Sequence, residues 1–274
     1  MEAKTSPTMP VKRVRLDALL VTRGLVENRS RAGALILAGH VRVGDTVPTK
    51  AGTPVTEDAD VSLIAPPRFV SRGGEKLDHA LTRFALDVTG NVAADLGAST
   101  GGFTDCLLQQ GAARVYAVDV GYGELSYRLR LDARVVVMDR TNARYLEALP
   151  EPADIAVMDL SFISLALVLP AALRVTKPEA AIVALIKPQF EAGRRAVGKG
   201  GVVRDPATHR AVLQSVLAAA GALGLRPLGL TASPLKGPAG NVEFLGYWRR
   251  GEPVDADALG AMIAWALDEA LKVA

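Results

Sequence analysis

The chain has 274 residues, 49% of them hydrophobic, enough to bury one α/β core and still carry a small satellite domain. Its formal charge is +3, from 32 lysines and arginines against 29 aspartates and glutamates, an excess too small to identify a polyanionic partner by itself. Cys106 is the one cysteine, which excludes an intrachain disulfide and an all-cysteine metal site; no metal is expected, and a reducing, cytoplasmic setting follows. The opening MEAKTSPTMP leads into basic residues without an apolar run, and no stretch reaches about 18 uninterrupted apolar residues. Neither a signal peptide nor a membrane span is therefore expected.

Charge is uneven along the chain. Between Pro10 and Lys50, eight basic residues stand against Asp17, Glu27 and Asp45. Arg15–Thr22 carries an apolar stripe of Leu16, Leu19 and Leu20 and stops at Gly24, which predicts a short helix. Ser30 is expected to cap a second helix through Leu37, with Ala34, Leu35 and Ala38 on its apolar side and Gly39 at its end. Strand-like pieces follow at His40–Val43, at Val47 beyond the Gly44–Asp45 turn, and at Val61–Ile64. Arg13, Arg15, Arg29 and Arg31 lie at or beside the two helix starts and are expected to be unbalanced by acidic neighbours at i+4. They form either a solvated basic surface or a clasp for RNA phosphates.

The run RLDALLVTRGLVENRSRAGALILAGHVRVGDTVPTKAGTPV resembles the S4 RNA-binding domain, through its RLD opening, Ser30–Arg31, and the Gly39, Val41 and Val43 pattern. The resemblance implies a small α+β domain over residues 11–65 that meets structured RNA, with Arg13, Arg15, Arg29 and Arg31 as RNA-binding residues. Pro66 and Pro67 open a stiff linker, residues 66–71, ahead of a larger domain at 72–274.

In that larger part, Val92–Leu96 is a strand-length apolar segment that runs into Gly97-Ala98-Ser99-Thr100-Gly101-Gly102, followed by helical Phe103–Gln110. Strand, glycine loop and helix let backbone N–H groups approach a ligand closely. The dinucleotide fingerprint fails because Ser99 stands where its second glycine belongs, and the phosphate-loop pattern fails because no lysine precedes Thr104. Asp-Leu-Gly-Ala-Ser-Thr-Gly-Gly-Phe-Thr instead resembles the first motif of class I, Rossmann-like S-adenosylmethionine methyltransferases. This implies cofactor contacts from Asp95, Gly97, Ser99, Thr100, Gly101, Gly102, Phe103 and Thr104. Further strands end at Asp119, Asp139, Asp159 and Lys187. Asp119 is suited to the cofactor ribose and Asp139 to the adenine edge, or either caps a following helix.

Lys76, Asp159, Lys187 and Glu243 stand out as charges, the last three beside apolar strand segments, where an ionised group needs a partner or a function. Lys76 also fits an ordinary amphipathic helix with Leu77 and Leu81 buried. From SRGGEKL at Ser71 to SPLKGPAGNVEFL at Ser233, with DLSFIS, KPQFE and GKGGVVRD between, the sequence resembles the TlyA, or haemolysin A-like, family of rRNA ribose methyltransferases with an FtsJ/RrmJ-like catalytic domain. The family's Lys-Asp-Lys-Glu catalytic tetrad falls on Lys76, Asp159, Lys187 and Glu243.

The resemblance implies methyl transfer from S-adenosylmethionine to a ribose 2′-hydroxyl, of cytidine in 16S rRNA, 23S rRNA or both, within ribosomal subunits or ribosomes. Lys187 is expected to take the hydroxyl proton, Asp159 to orient it, and Lys76 and Glu243 to position and balance charge; alignment without a true base is the alternative. Rival readings are an RNA base methyltransferase, a noncatalytic RNA-binding assembly factor, and a lytic protein. Neither DNA nor a membrane is an expected partner, and oligomeric state is left open.

The remaining chain predicts a helix at Ala207–Leu223 after Asp205-Pro206, strands at Leu225–Ala232 and Val242–Trp248, and a cleft-rim connection at Pro234–Gly240. A last helix, Ala256–Leu271, is expected to bury Leu259, Ile263, Leu267 and Leu271.

Overall fold

Leu16, Leu19 and Leu20 are buried together with Ala32, Ile36, Val41, Val55 and Val61, and this small core organises the N-terminal unit. The computed structural model describes residues 12–65, 67–193 and 196–273. The expected boundary residues Val11, Pro66 and Ala274, and the opening MEAKTSPTMP, lie outside the described residues. The chain divides into two units after Pro67.

In the first unit, strand β1 (Arg13–Arg15) runs directly into helix α1 (Leu16–Thr22), and α2 (Arg29–Leu37) follows. Strands β2 (Val41–Val43), β3 (Pro54–Thr56) and β4 (Val61–Leu63) complete it, with β1 paired to β3 and β2 to β4, both antiparallel. Three expectations are corrected here. The cap of α2 is Asn28, whose side chain accepts a 2.9 Å hydrogen bond from the Arg31 backbone N–H, while Ser30 already lies inside the helix. Its buried face is Ala32 and Ile36, at i and i+4, and Ala34 and Ala38 are exposed. Val47 is exposed outside any strand, because Thr46 closes a tight turn back onto Val43.

Nor are the arginines unbalanced. Arg15 and Arg29 both reach Asp17 Oδ2, at 2.8 and 3.0 Å. Asp17 stands four residues after Arg13, so the i+4 expectation fails there; for Arg15 Asp17 is two residues on, and packing of α1 on α2 brings Arg29 to it from 12 positions away. These bonds, that from Arg15 first, hold the Asp17 carboxyl well below the usual range.

The second unit comprises α3 (Gly73–Arg83), β5 (Val92–Leu96), α4 (Gly102–Gln109), β6 (Arg114–Val118), α5 (Tyr127–Arg130), β7 (Val135–Met138), β8 (Ala153–Met158) and α6 (Leu169–Val175). It continues through β9 (Thr176–Ile186), α7 (Pro188–Glu191), α8 (Pro206–Gly221), β10 (Leu225–Ala232), β11 (Phe244–Arg250) and α9 (Ala256–Ala270). The seven strands form one sheet in the order β10-β11-β9-β8-β5-β6-β7. Strands β5 to β9 pair in parallel, whereas β11 is antiparallel to both of its neighbours. One apolar cluster joins Leu77, Leu81, Phe103 and Leu107 of α3 and α4 to the sheet, and the other joins Leu169, Leu213 and Ile263 of α6, α8 and α9 to it. The unit is thus an α/β, class I methyltransferase-type fold.

The chain leaves β5 toward β6 and β7, then returns to place β8 on the other side of β5, and ligands bind at such switch points. The run from Ile163 to Val175 forms a 3₁₀ turn, Leu165–Leu167, and α6, which its sequence pattern did not resolve. Strand β11 begins at Phe244, so Glu243 precedes the strand. Leu259 and Leu267 pack on the core with buried Ile263, but Leu271 is 79% exposed because α9 has ended before it.

Two glycines make the turn from β5 into α4. Gly97 and Gly101 have φ of +95° and +96°, the left-handed region that glycine adopts without a Cβ penalty. Beneath this loop Asp95 is fully buried. Its Oδ2 accepts a 2.6 Å hydrogen bond from Thr104 Oγ1, and its Oδ1 has no protein partner. Burial pushes the Asp95 carboxyl up to about 7; the Thr104 hydrogen bond opposes the shift, and Asp159 and Asp119 reinforce it.

Two measurements check this account. Phe244→Ala empties a fully buried ring position and is expected to cost about 3–5 kcal/mol, read from urea unfolding. Asp95 holds its proton more tightly folded than unfolded, so its contribution to stability falls as pH rises from its ordinary value of 3.8 to about 7. Asp95→Asn is expected to remove that slope; unfolding midpoints with the same pH dependence as the parent would refute it.

Candidate active site

The C-terminal ends of the parallel strands meet along one sheet edge, and β11 joins them there because it runs the other way. Its first residue, Phe244, pairs with the last residue of β9, Ile186, so Glu243 and Lys187 emerge side by side. Pro188 stops β9 and starts α7, which leaves Lys187 at the corner.

Two ion pairs occupy this edge. Lys187 Nζ donates a 3.0 Å hydrogen bond to Ser161 Oγ and lies 2.6 Å from Asp159 Oδ1, a charge contact off the hydrogen-bonding direction. Lys76, on α3, donates to Glu243 Oε2 at 2.5 Å, with side-chain exposures of 8% and 1%. Gln189 Nε2 lies 3.4 Å from the other Glu243 oxygen and links the pairs through α7. The four charged residues singled out from sequence therefore gather as two couples on one edge.

A cavity of about 420 Å³ opens beside them, lined in part by Gly97, Ser99, Asp119, Glu124, Asn142 and Asp159. A second, of about 190 Å³, is lined by Ser71, Gly73, Thr100, Gly102, Phe103 and Lys187, and shares Gly97, Ser99, Asp159 and Ser161 with the first. The glycines let the walls of this space pack closely on one another. A Cβ on Gly97 would lie 2.9 Å from Leu160 Cδ2 and 3.1 Å from the Asp159 carbonyl oxygen, and one on Gly102 would run into Ser71 Oγ and lie 2.8 Å from the Gly74 nitrogen.

The expected cofactor residues divide by location. Gly97, Ser99, Thr100, Gly102, Phe103 and Asp119 line the space. Asp119 accepts 2.7 Å hydrogen bonds from the backbone N–H groups of Ser99 and Gly121, which ties the loop after β5 to the one after β6. Asp95 and Thr104 lie buried beneath the loop, and Gly101 abuts Leu125 and Leu129. Asp139 is turned to Arg130 at 2.9 Å and to the Gly123 N–H, is held below its ordinary acidity range first by Arg130, and is not among the lining residues. At the end of β7 the wall is formed by Thr141, Asn142, Ala143 and Arg144.

Sequence reasoning did not single out Ser71, Gly73, Glu124 or Ser161. Ser71 and Gly73 stand in the SRGGEKL string, and their role depends on α3 reaching the glycine loop. Neither did it single out Phe162, which borders the first cavity, is 90% exposed and has φ of +64°.

In the first unit, Arg13 on β1 and Arg31 on α2 are exposed, and Arg15 and Arg29 stay more than half exposed although bound to Asp17. Among the described residues, no helix is long and apolar enough to cross a membrane.

Comparison with known proteins agrees with this architecture. Residues 69–250 match the FtsJ-like methyltransferase family and residues 14–61 the S4 domain. The 16S/23S rRNA (cytidine-2′-O)-methyltransferase TlyA of Mycobacterium tuberculosis is 49% identical over 87% of this chain and 90% of its own length. Hemolysin A of Brachyspira hyodysenteriae is 38% identical over 86% of this chain and 99% of its own. The solved structure of a candidate hemolysin from Streptococcus thermophilus superposes with a TM-score of 0.71 at 39% identity, covering 96% of this chain and 98% of that one. Because both relationships run through one chain in one order, the protein belongs to the TlyA family, the FtsJ-like methyltransferases that carry an S4 domain.

Proposed function

We propose that this chain transfers a methyl group from S-adenosylmethionine to the 2′-hydroxyl of cytidine in ribosomal RNA, in 16S rRNA, 23S rRNA or both, on ribosomal subunits or ribosomes. The observation that carries this reading is the Lys187–Asp159–Ser161 cluster, in which Asp159 and Ser161 line both cavities and Lys187 lines the second. The TlyA relative named for this reaction supports it. A cytoplasmic location follows from the substrate, and neither DNA nor a membrane enters the reading.

The space fits the cofactor. The glycine loop packs against Asp159 and the start of α3 more closely than a Cβ at Gly97 or Gly102 would allow, and Asp119 and Asp159 in the lining, with Asp95 buried beneath, supply acidic groups suited to a cation. Gly97, Ser99, Thr100, Gly102, Phe103 and Asp119 would hold it directly, with Asp95, Gly101, Thr104 and Asp139 supporting the loops from behind. When bound, S-adenosylmethionine supplies a methyl group activated by cationic sulfur.

The protein's own task is to hold a ribose hydroxyl in line and manage its proton. Lys187 is the group within reach of the shared wall, and Asp159 and Ser161 fix the position of its amine. Once neutral, Lys187 Nζ takes the hydroxyl proton; Lys76 and Glu243 are already paired and supply a rigid, charge-balanced floor. The resting Lys187–Asp159 ion pair also favours a second reading, in which a permanently charged Lys187 aligns the oxygen and stabilises its developing negative charge.

Lys187→Ala is expected to keep S-adenosylmethionine binding and lose most methyl transfer, measured by isotope incorporation followed by nucleoside identification. Near-normal turnover, or label on a base, would discard the assignment. Lys187→Arg separates the two readings, since a guanidinium stays protonated: loss of turnover favours proton acceptance, and retention favours alignment. In the S4 unit, removing Arg29 and Arg31 together is expected to weaken RNA binding and lower the slope of log affinity against log salt by up to about 2. An unchanged slope across a salt series would rule out phosphate contacts by these arginines.

A further inference from the structure

We propose that Glu191 is a positioning residue for methyl transfer, tying the loop after β8 to the turn after β9 so that Asp159 and Ser161 stay against Lys187. The inference rests on the role proposed above for Lys187.

Glu191 is the last residue of α7 and is half-buried. Both carboxylate oxygens are committed to the other loop: Oε2 accepts from Ser164 Oγ at 2.7 Å and Oε1 from the Leu165 backbone N–H at 2.8 Å. These bonds span 27 and 26 positions, so they report how two loops are held together and not a local turn. A charged acceptor makes such bonds shorter and stronger than neutral ones. Ser164 Oγ in turn accepts from the Ala166 N–H, 3.3 Å away, at the start of the 3₁₀ turn.

The clamp closes a ring of contacts around the reacting edge. On the β8 side the chain runs Asp159, Ser161, Phe162, Ser164; on the β9 side it runs Lys187, Phe190, Glu191. Three further contacts cross between them: Lys187 to Asp159, Lys187 to Ser161, and the Phe162 ring to the Phe190 ring, 4.9 Å between centroids. Phe162 is a bulky residue at positive φ with most of its surface in solvent, a conformation that persists only when the surroundings hold it. Glu191 fastens the loop two residues beyond it.

No atom of Glu191 lines either of the two cavities at the glycine loop, so its removal should disturb geometry at Lys187 and leave the cofactor cradle intact. Glu191→Ala, Glu191→Gln, Ser164→Ala and the Ser164→Ala/Glu191→Ala double variant are compared with Lys187→Ala. Each is assayed for kcat on ribosomal subunits, S-adenosylmethionine Kd and thermal unfolding. Glu191→Ala is expected to lower kcat roughly ten- to a hundredfold with Kd unchanged, as for a displacement of about 1 Å at a reacting group. Its unfolding midpoint should stay within about 5 °C of the parent. Glu191→Gln, which keeps one acceptor oxygen, should fall between, and the double variant should lose less than the product of the two single losses.

Parental kcat in Glu191→Ala beside an inactive Lys187→Ala overturns the clamp. So does a kcat loss matched by lost cofactor affinity or by collapse of the unfolding midpoint. An active Lys187→Ala instead overturns the reading on which the clamp rests.

Discussion

The pairing of Phe244 with Ile186, which seats an antiparallel β11 against the last parallel strand, brings the site's charges together. An antiparallel strand delivers its beginning where parallel neighbours deliver their ends, so Glu243 arrives at the edge that already holds Asp159 and Lys187. Gln189, two residues past Lys187, bridges toward Glu243. The almost fully buried Lys76–Glu243 pair is a poor device for stability, since removing two charges from water costs several kcal/mol per ion before their attraction offsets it. Its value is geometric: neither group can leave without stranding the other, and the partners come from α3 and from the residue just before β11, 167 positions apart.

A second consequence of the parallel edge is the crowding of acids around the glycine loop. Asp95, Asp119 and Asp159 follow or lie near the ends of three strands, and they do different work. Asp119 spends both oxygens on backbone N–H groups, Asp159 faces an ammonium, and Asp95 is sealed beneath the loop with one oxygen unpartnered. An acidic surround of graded accessibility suits a cationic ligand, whose charge favours the ionised form of each neighbour. When that charge is absent, burial first, and this crowding after it, raises the affinity of Asp95 for its proton.

The S4 unit uses one acid in the opposite way. Asp17 draws Arg15 and Arg29 into a shared cluster, yet each guanidinium remains more than half exposed and retains further N–H donors. Because Asp17 itself is buried, it is a fixed anchor that restricts both long side chains to few conformations. In the RNA-binding role proposed for them, less conformational freedom would then be lost on meeting a phosphate.

Much of the core was legible from local pattern. The strand, glycine loop and helix from Val92 to Gln109, the start of α8 after Asp205-Pro206, and the burial of Leu77, Leu81 and Ile263 all follow from periodicity and turn chemistry acting within a few residues. Of the site's charges, Asp159, Lys187 and Glu243 were visible beside apolar strand segments, whereas Lys76 also fitted an ordinary amphipathic helix. What local pattern could not supply was partnership. Nothing near Arg29 announces Asp17, nothing near Ser164 announces Glu191, and the exposure of Leu271 depends on where α9 frays. Sequence by itself determined the elements and the chemistry each could carry, because those depend on backbone preference and side-chain type over short windows. The tertiary structure alone decided which charges meet, which face each other across a cavity and which are turned away, because strand order and direction set those distances.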